Sequence, residues 1–138
     1  MSAMNMTESS FGLDAGNMPE FSPALVDADV CVAPDPPSPF NDISTMNKII
    51  EYMALGCASV AFGLPENRAT GEDAVAYAES GEWPSLARAI ARLLDDDEAR
   101  AEMGARARER FERVLAWEYQ MPHLLEAYER LGQKAAGR

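Results

Sequence analysis

Hydrophobic residues in this chain fall into short runs that end at proline or glycine. Residues 29–34 form an apolar run rich in β-branched side chains, and residues 57–62 form a second run followed by a loop at 63–67. A shorter run at residues 74–77 predicts a third strand. None of the runs alternates between polar and apolar positions, so the strands are expected to be covered on both faces. The pattern predicts an α/β fold with a parallel sheet flanked by helices.

The first strand is followed by a loop and a short helix. Four prolines within residues 34–39 stiffen the chain, so residues 35–42 are expected to form an ordered loop at the carboxyl end of that strand. Residues 46–55 then carry apolar side chains at helical spacing, and Gly56 provides a stop. Ser44 or Thr45 is placed to cap the amino end of this helix.

The last part of the chain has helical periodicity throughout. Asp95 and Glu98 have capping-box spacing between two apolar stripes, which comprise Leu86, Ile90, Leu93 and Leu94, then Ala99, Met103, Ala107 and Phe111. A terminal helix is expected from about Trp117 to Leu131, with Pro122 either in its first turn or kinking it. The chain is thus predicted to have a helical C-terminal tail.

Composition places the chain among globular proteins of one domain. It has 138 residues, 47% hydrophobic and 25% charged, which suits a buried core but not a complete two-domain enzyme. The formal net charge is −11, and Lys48 is the first basic residue. General electrostatic attraction to nucleic acid or anionic lipid is therefore not expected, and any phosphate must be bound by local groups.

The cysteines and the lengths of the apolar runs indicate in which cellular compartment the protein is expected. Cys31 and Cys57 both lie in apolar runs, which favours buried free thiols in a reducing environment over a disulfide or a metal site. The longest uncharged stretch, residues 52–65, is too short for a transmembrane segment, and residues 1–17 lack the basic start of a signal peptide. We therefore expect a cytoplasmic protein.

The strongest chemical candidate combines the proline-rich loop, the following helix start and Glu51. In open α/β sheets ligands bind beyond the carboxyl ends of the strands, and free amides at a helix amino end attract phosphate. Glu51 lies one turn past Lys48, where its carboxylate is able to accept hydrogen bonds from vicinal sugar hydroxyls. From spacing alone, an ordinary solvated helix residue is the favoured interpretation of Glu51.

Several other residues have weaker chemical signals. Lys48 either faces a bound phosphate or is a surface lysine, and Glu66 either faces a ligand or is a turn carboxylate. His123 is the only histidine and lies on an amphipathic helix, where packing or exposure is expected. Arginines and glutamates that alternate over residues 98–113 indicate a solvated helix face rather than a nucleic-acid patch.

Several strings together carry a family resemblance. They are ADVCVAP at residues 28–34, PFNDISTMNK at 39–48, EYMALG at 51–56 and SVA at 59–61. Weaker similarity continues through residues 65–66, 71–74, 93–96 and 103–104, and through Trp117 and Tyr128. Over roughly residues 21–131 the chain resembles the C-terminal, donor-binding half of a GT-B glycosyltransferase of the retaining family 4 type.

The resemblance implies specific roles for several residues. Glu51 matches the second glutamate of the family's E-x7-E motif, which binds the nucleotide ribose. The segment Ser44, Thr45 and Met46 corresponds to the helix start that holds the donor diphosphate with backbone amides. The first glutamate of the motif is replaced by Ile43, and the adjacent Asp42 is the candidate catalytic carboxylate in its place. Lys48 and Glu66 complete the nucleotide-sugar-binding set, and neither a metal nor a cofactor is expected besides the donor substrate.

The Ser-, Met-, Asn- and Gly-rich composition of residues 1–20 and the resemblance of the rest divide the chain into three parts. Residues 1–20 are expected to be a poorly ordered leader, 21–115 a partial Rossmann-like domain that binds a nucleotide sugar, and 116–138 a C-terminal helix. The acceptor-binding N-terminal domain is then a missing partner, and the chain alone is expected to be inactive. An uncovered sheet edge favours self-association.

Two functions from different classes therefore remain open. The first is the donor-binding fragment of a glycosyltransferase that transfers a sugar from a nucleotide diphosphate sugar with retention. The second is a non-catalytic scaffold that keeps the fold, an alternative favoured by Ile43 and by the lack of basic residues upstream of Lys48. An epimerase on the same scaffold needs upstream carboxylates that the matching strings do not supply.

Overall fold

Three short apolar strands form the centre of the fold. The computed structural model describes residues 25–79 and 81–136, and its strands are β1 (Cys31–Ala33), β2 (Ser59–Phe62) and β3 (Ala76–Ala78). They pair in parallel in the order β1-β2-β3, with Cys31 opposite Ser59 and Val60 opposite Ala76. All four residues of β2 are buried, as expected for a strand covered on both faces. The predicted parallel α/β sheet is confirmed.

From residue 41 to residue 136, the described part of the chain contains five helices and three short turns that connect and cover these strands. The helices are α1 (Asn47–Ala54), α2 (Pro65–Gly71), α3 (Trp83–Leu94), α4 (Asp97–Arg110) and α5 (Trp117–Ala136). Turns of 3₁₀ helix lie at Asn41–Ile43 and Glu72–Ala74, and a π-helical turn at Phe111–Leu115 joins α4 to α5. The predicted leader at residues 1–20 lies outside the described residues.

The core consists of two clusters, one on each face of the sheet. The first joins β2 to α3 and α4, and its buried members are Ala58, Val60, Phe62, Leu64, Ala78, Leu86, Leu93 and Met103. The second joins the sheet to α1 and α4, and its buried members are Ala33, Ile49, Met53, Ala61, Ala74, Val75 and Ala107. Helix α4 contributes to both clusters, with Met103 in the first and Ala107, one turn further along the same helix face, in the second.

A close backbone approach fixes the end of α1 against α4. Gly56 has a φ of +69°, a left-handed conformation that ends the helix and that glycine adopts without steric cost. A Cβ on Gly104 would collide with the carbonyl oxygen of Gly56, so glycine at position 104 lets the two helices meet. Gly56 is therefore the stop that the sequence predicts.

The structure corrects several element-level predictions. Residues 65–67 are not a loop, since Glu66 lies in the first turn of α2. Asp96 rather than Asp95 caps α4, because its carboxylate accepts a hydrogen bond from the Ala99 amide at 2.9 Å. Leu94 is 48% exposed and does not belong to the buried stripe of α3. Pro122 lies inside α5 and not in its first turn.

The arginines of α4 are also not a uniformly solvated face. Arg100, Arg108 and Arg110 donate hydrogen bonds to the last carbonyls of α3, α1 and α2 respectively. The side chains of Arg100 and Arg110 are only 17% exposed. Carbonyls at helix ends lack intrahelical donors, so these guanidinium groups cap three neighbouring helices.

Candidate functional site

The candidate site lies at the edge where β1 and β2 end. Because the strands are parallel, their carboxyl ends meet at one edge, which is where open α/β sheets bind ligands. Residues 34–46 follow β1 and lead into α1, while Gly63 and Leu64 follow β2 and lead into α2. The predicted site residues all lie in these connections or in the first two turns of α1 and α2.

Hydrogen bonds within the proline-rich loop give it a defined shape. The Asn41 amide donates to Ser38 Oγ at 3.0 Å, and Asn41 Nδ2 donates to the Pro36 carbonyl at 2.8 Å. Ser44 Oγ donates to the Phe40 carbonyl at 2.6 Å. Proline has no backbone N–H, so this loop cannot form the regular backbone hydrogen bonds of a strand or helix. The bonds of Asn41 and Ser44 satisfy its polar groups instead, and they confirm that the loop is ordered.

The predicted side-chain cap of α1 is wrong. The N-cap is Met46, whose side chain accepts no hydrogen bond, and Ser44 bonds back into the loop instead. Thr45 Oγ1 donates to Glu66 Oε2 at 3.1 Å, which links the start of α1 to the start of α2. The first amides of α1 are therefore left without a side-chain acceptor from the cap position.

Lys48 is held by a carboxylate of the same edge. Its Nζ lies 2.7 Å from Asp35 Oδ2, with the two side chains 36% and 25% exposed. This ion pair places Lys48 over the loop after β1 rather than in open solvent. The Asp35 carboxylate also neutralises the positive charge of Lys48, so this lysine contributes little net attraction to a bound phosphate.

Glu51 lies half-buried on α1, between residues that anchor the helix. Next to it, Tyr52 donates its hydroxyl hydrogen bond to the Val32 carbonyl at 3.2 Å, which ties α1 to β1. Ile49 and Met53 are buried in the core. Within the described residues the Glu51 carboxylate has no hydrogen-bond or ion-pair partner, so its oxygens remain available as acceptors.

Asp42 and Ile43 occupy the 3₁₀ turn of the loop with different exposure. The Asp42 amide donates to the Ser38 carbonyl at 2.8 Å, and the Asp42 side chain is half-buried. Ile43 is 79% exposed and Phe40 is 75% exposed, so this turn presents apolar surface. Asp42 is therefore the carboxylate adjacent to Ile43 in the same turn.

Arg68 is a cation of this edge that the sequence reasoning missed. It lies on α2, its Nε donates to the Gly63 carbonyl at 3.2 Å, and its Cζ lies 4.6 Å from the centroid of the Tyr77 ring. The available signal was a basic residue shortly after the second strand. Because residues 63–67 are predicted as a loop, the sequence does not indicate that α2 begins at Pro65 and brings Arg68 back over the end of β2.

The two thiols lie away from this edge. Cys31 begins β1 and Cys57 precedes β2, so both belong to the opposite end of the strands, and both are buried and free as predicted. Cys57 Sγ donates to the Leu25 carbonyl at 3.0 Å. The contact with Cys57, together with burial, raises the pKa of the Cys31 thiol. The pair is therefore part of the packing and not of the candidate site.

Two further features of the described residues bear on the chemistry. His123 is exposed on α5, which agrees with the expectation of packing or exposure. A shallow cleft of about 250 Å³ lies beside the end of α4, lined by Asp73, Arg106, Glu109, Arg110, Arg113 and Val114. The described part of the chain contains no group of three or more His, Cys, Asp or Glu side chains arranged to hold a metal ion.

The fold and site together define a class. A parallel sheet between helices, with an ordered loop and a helix start at its carboxyl edge, defines a Rossmann-like domain of the kind that binds ligands at that edge. The model of the family "Glycosyl transferases group 1" matches residues 14–96, more than half of the chain. The chain therefore belongs to the group 1 glycosyl transferases, and sugar transfer is its general chemistry.

No curated protein matches the chain. Among residues 25–79 and 81–136, no helix combines the length and apolar character needed to cross a membrane.

Proposed function

We propose that this chain is the donor-binding part of a family 4-like retaining glycosyltransferase, which holds a nucleotide diphosphate sugar at the carboxyl edge of the sheet. One observation carries the proposal. Glu51 lies in the segment matched by the family model, on the helix that starts at this edge, and its carboxylate has no hydrogen-bond or ion-pair partner among residues 25–79 and 81–136. A half-buried carboxylate without a protein partner is suited to accept hydrogen bonds from a ligand.

In this proposal Glu51 accepts hydrogen bonds from the two ribose hydroxyls of the donor. The backbone amides from Thr45 to Lys48 bind the diphosphate, since they donate no hydrogen bond within the described residues and lie at the positive end of the helix dipole. The Ser44 amide instead donates to the Asn41 carbonyl at 3.1 Å, which holds the loop beside them. The bond between Thr45 and Glu66 then positions the two connections against each other. Asp42 contacts the donor sugar in place of a glutamate at Ile43.

The transfer step follows from the charge that develops on the leaving group. The bond between the anomeric carbon and the phosphate oxygen breaks, and the diphosphate leaves with the electron pair. The acceptor oxygen forms its bond on the same face of the sugar, and its proton passes to the departing phosphate oxygen. Amides and cations at the edge of the sheet stabilise that charge in advance. The acceptor is bound by a separate acceptor-binding domain.

The first prediction concerns Glu51. Calorimetric titration of the wild-type chain with uridine, guanosine, adenosine and thymidine diphosphates is expected to give binding to at least one. In Glu51→Gln the affinity should fall about tenfold, because two hydrogen bonds to a charged acceptor become weaker neutral ones. Glu129→Gln is the matched control, since Glu129 is exposed on α5 and forms no ion pair within the described residues. Binding that is equally strong in Glu51→Gln contradicts the proposal.

A non-catalytic scaffold is the second candidate function. It is favoured by the exposed Ile43 at the expected glutamate position and by the offset charge of Lys48. A scaffold that has lost the donor site binds none of the four nucleoside diphosphates, so the same titration separates the two candidates.

A further inference from the structure

Most basic side chains in the described residues are engaged by carboxylates. Ion pairs involve Lys48, Arg92, Arg100, Arg106, Arg108, Arg110, Arg113 and Arg130. This is expected of a chain with net charge −11, where acidic groups outnumber basic ones. Three basic residues in the described part of the chain have no ion pair, namely Arg68, Arg88 and Lys134, and their position in the fold decides what each can do.

Arg68 is such a cation, and it lies at the carboxyl edge of the sheet. It forms no ion pair with any carboxylate in the described residues, although Glu66 and Glu72 lie nearby in sequence. The only hydrogen bond that its side chain makes within the described residues is from Nε to the Gly63 carbonyl, so the two terminal nitrogens of the guanidinium keep their donors free. Arg68 is also exposed, which leaves those donors accessible to a ligand.

The guanidinium group of Arg68 is held in place rather than free to move through solvent. The Tyr77 ring lies beneath it at 4.6 Å, and the Tyr77 hydroxyl is fixed by a 2.9 Å hydrogen bond to the Asn67 carbonyl. A Cβ on Gly63 would lie only 2.8 Å from Arg68 Nε and 2.9 Å from Cζ. Glycine at position 63 thus makes room for the arginine to fold back over the end of β2.

Such an arrangement has the properties of an anion-binding group. Stacking on an aromatic face and one backbone bond fix the plane of the guanidinium, so little conformational entropy is lost when its other donors bind. Planar paired donors match the oxygens of a phosphate. Lysine would provide the charge but not the stacked, forked geometry.

We propose that Arg68 is a specificity-determining residue that binds the diphosphate of the donor from the β2 side of the site. The inference rests on the proposed function, because it places the donor diphosphate at the edge formed by the ends of β1 and β2. Arg68 then supplies the cation that Lys48, already paired with Asp35, does not. The site discriminates by this contact between a nucleoside diphosphate and an uncharged nucleoside.

The test compares three kinds of probe by NMR titration at low ionic strength. They are the four nucleoside diphosphates, the corresponding nucleosides and inorganic pyrophosphate. In Arg68→Gln the affinity for diphosphates and pyrophosphate is expected to fall about tenfold, while the affinity for nucleosides stays the same. Arg68→Lys should recover part of the loss, because it restores the charge alone. Arg88→Gln is the matched control, an exposed arginine of α3 without a described ion pair.

The outcomes separate this inference from the function on which it rests. Diphosphate affinity unchanged in Arg68→Gln overturns the inference, as does an equal loss for nucleosides, which indicates a structural role. Pyrophosphate binding that depends on Arg68, with nucleoside diphosphates indifferent to Glu51→Gln, supports Arg68 as an anion site and overturns the nucleotide-sugar function. A wild-type chain that binds none of the probes overturns both.

Discussion

Tyr77 joins β3 to α2 through both ends of its side chain. The hydroxyl donates to the Asn67 carbonyl, and the ring supports the guanidinium of Arg68. Burial raises the pKa of Tyr77 to about 12, and the nearby Arg68 partly opposes that shift. The neutral phenol is therefore the form that the folded chain requires.

The Tyr77 pKa gives a prediction about alkaline stability. The unfolded chain releases this proton near the ordinary value of 10.0, whereas the folded chain keeps it until about 12. The contribution to the free energy of unfolding is complete below pH 10 and is lost as the pH rises toward 12. Urea unfolding between these pH values should show a steeper loss for wild type than for Tyr77→Phe. Parallel pH profiles for the two proteins would contradict the assignment.

Residue-level prediction from the sequence worked where the cause is local. The turn at Gly56 and the buried thiols follow from short-range patterns, and both are present in the structure. The partner of Lys48 is thirteen residues away, across a loop whose path no local rule gives. Ser44 was a reasonable cap by residue type, but a carbonyl within the loop competed for its hydroxyl.

At the level of elements, arginines of α4 donate hydrogen bonds to carbonyls at the ends of the neighbouring helices. Arg110 illustrates the geometry: its Nε donates to the Thr70 carbonyl at 2.8 Å, and its Nη2 donates to the Ala69 carbonyl at 3.1 Å. A third contact joins its Nη1 to Glu72 at 3.0 Å. One side chain thus satisfies the end of α2 and the turn that follows it.

These contacts predict that Arg110 matters more to stability than a similar exposed arginine. Arg110→Gln is expected to lower the free energy of unfolding by about 2 kcal/mol, because two carbonyls lose a charged donor. Arg113→Gln removes the same charge but should cost about 0.5 kcal/mol or less, since its ion pair with Glu109 is a surface pair. Urea unfolding of the two variants measures the difference, and equal losses would show that Arg110 does not cap α2.

Helix α2 is not predicted from the sequence, and the cause lies in its composition. Its residues are mostly polar and carry no apolar period, and Gly63 and Pro65 mark a turn by composition. Pro65 is instead the first residue of the helix, a position that proline tolerates because its amide would be unpaired there. The strands and α1, α3 and α4 were predictable because burial imposes a periodic pattern on them.

On the scale of the whole molecule, a strongly acidic chain carries a C-terminal helix with an exposed apolar stripe. Every described side chain of α5 from Glu118 to Lys134 is exposed. Its apolar members include Leu125 at 53%, Tyr128 at 65% and Leu131 at 63% exposure. Exposed apolar stripes favour association, while a net charge of −11 opposes it.

The balance of these two effects predicts association that depends on salt. Light scattering is expected to show a mass above 15.1 kDa at high protein concentration, and more so as added salt screens the repulsion between chains. Leu125→Glu together with Leu131→Glu should restore the monomer mass. A monomer at every salt and protein concentration would mean that neither α5 nor the sheet edge supports self-association.

The packing of α4 against both core clusters also determines how the domain unfolds. Because Met103 and Ala107 belong to different clusters, displacement of this one helix opens both faces of the sheet at once. The two layers are thereby expected to share a single cooperative unfolding transition. Helix α5 contributes no described residue to either cluster, so its backbone amides can exchange with solvent hydrogen while the sheet and its carboxyl edge stay intact.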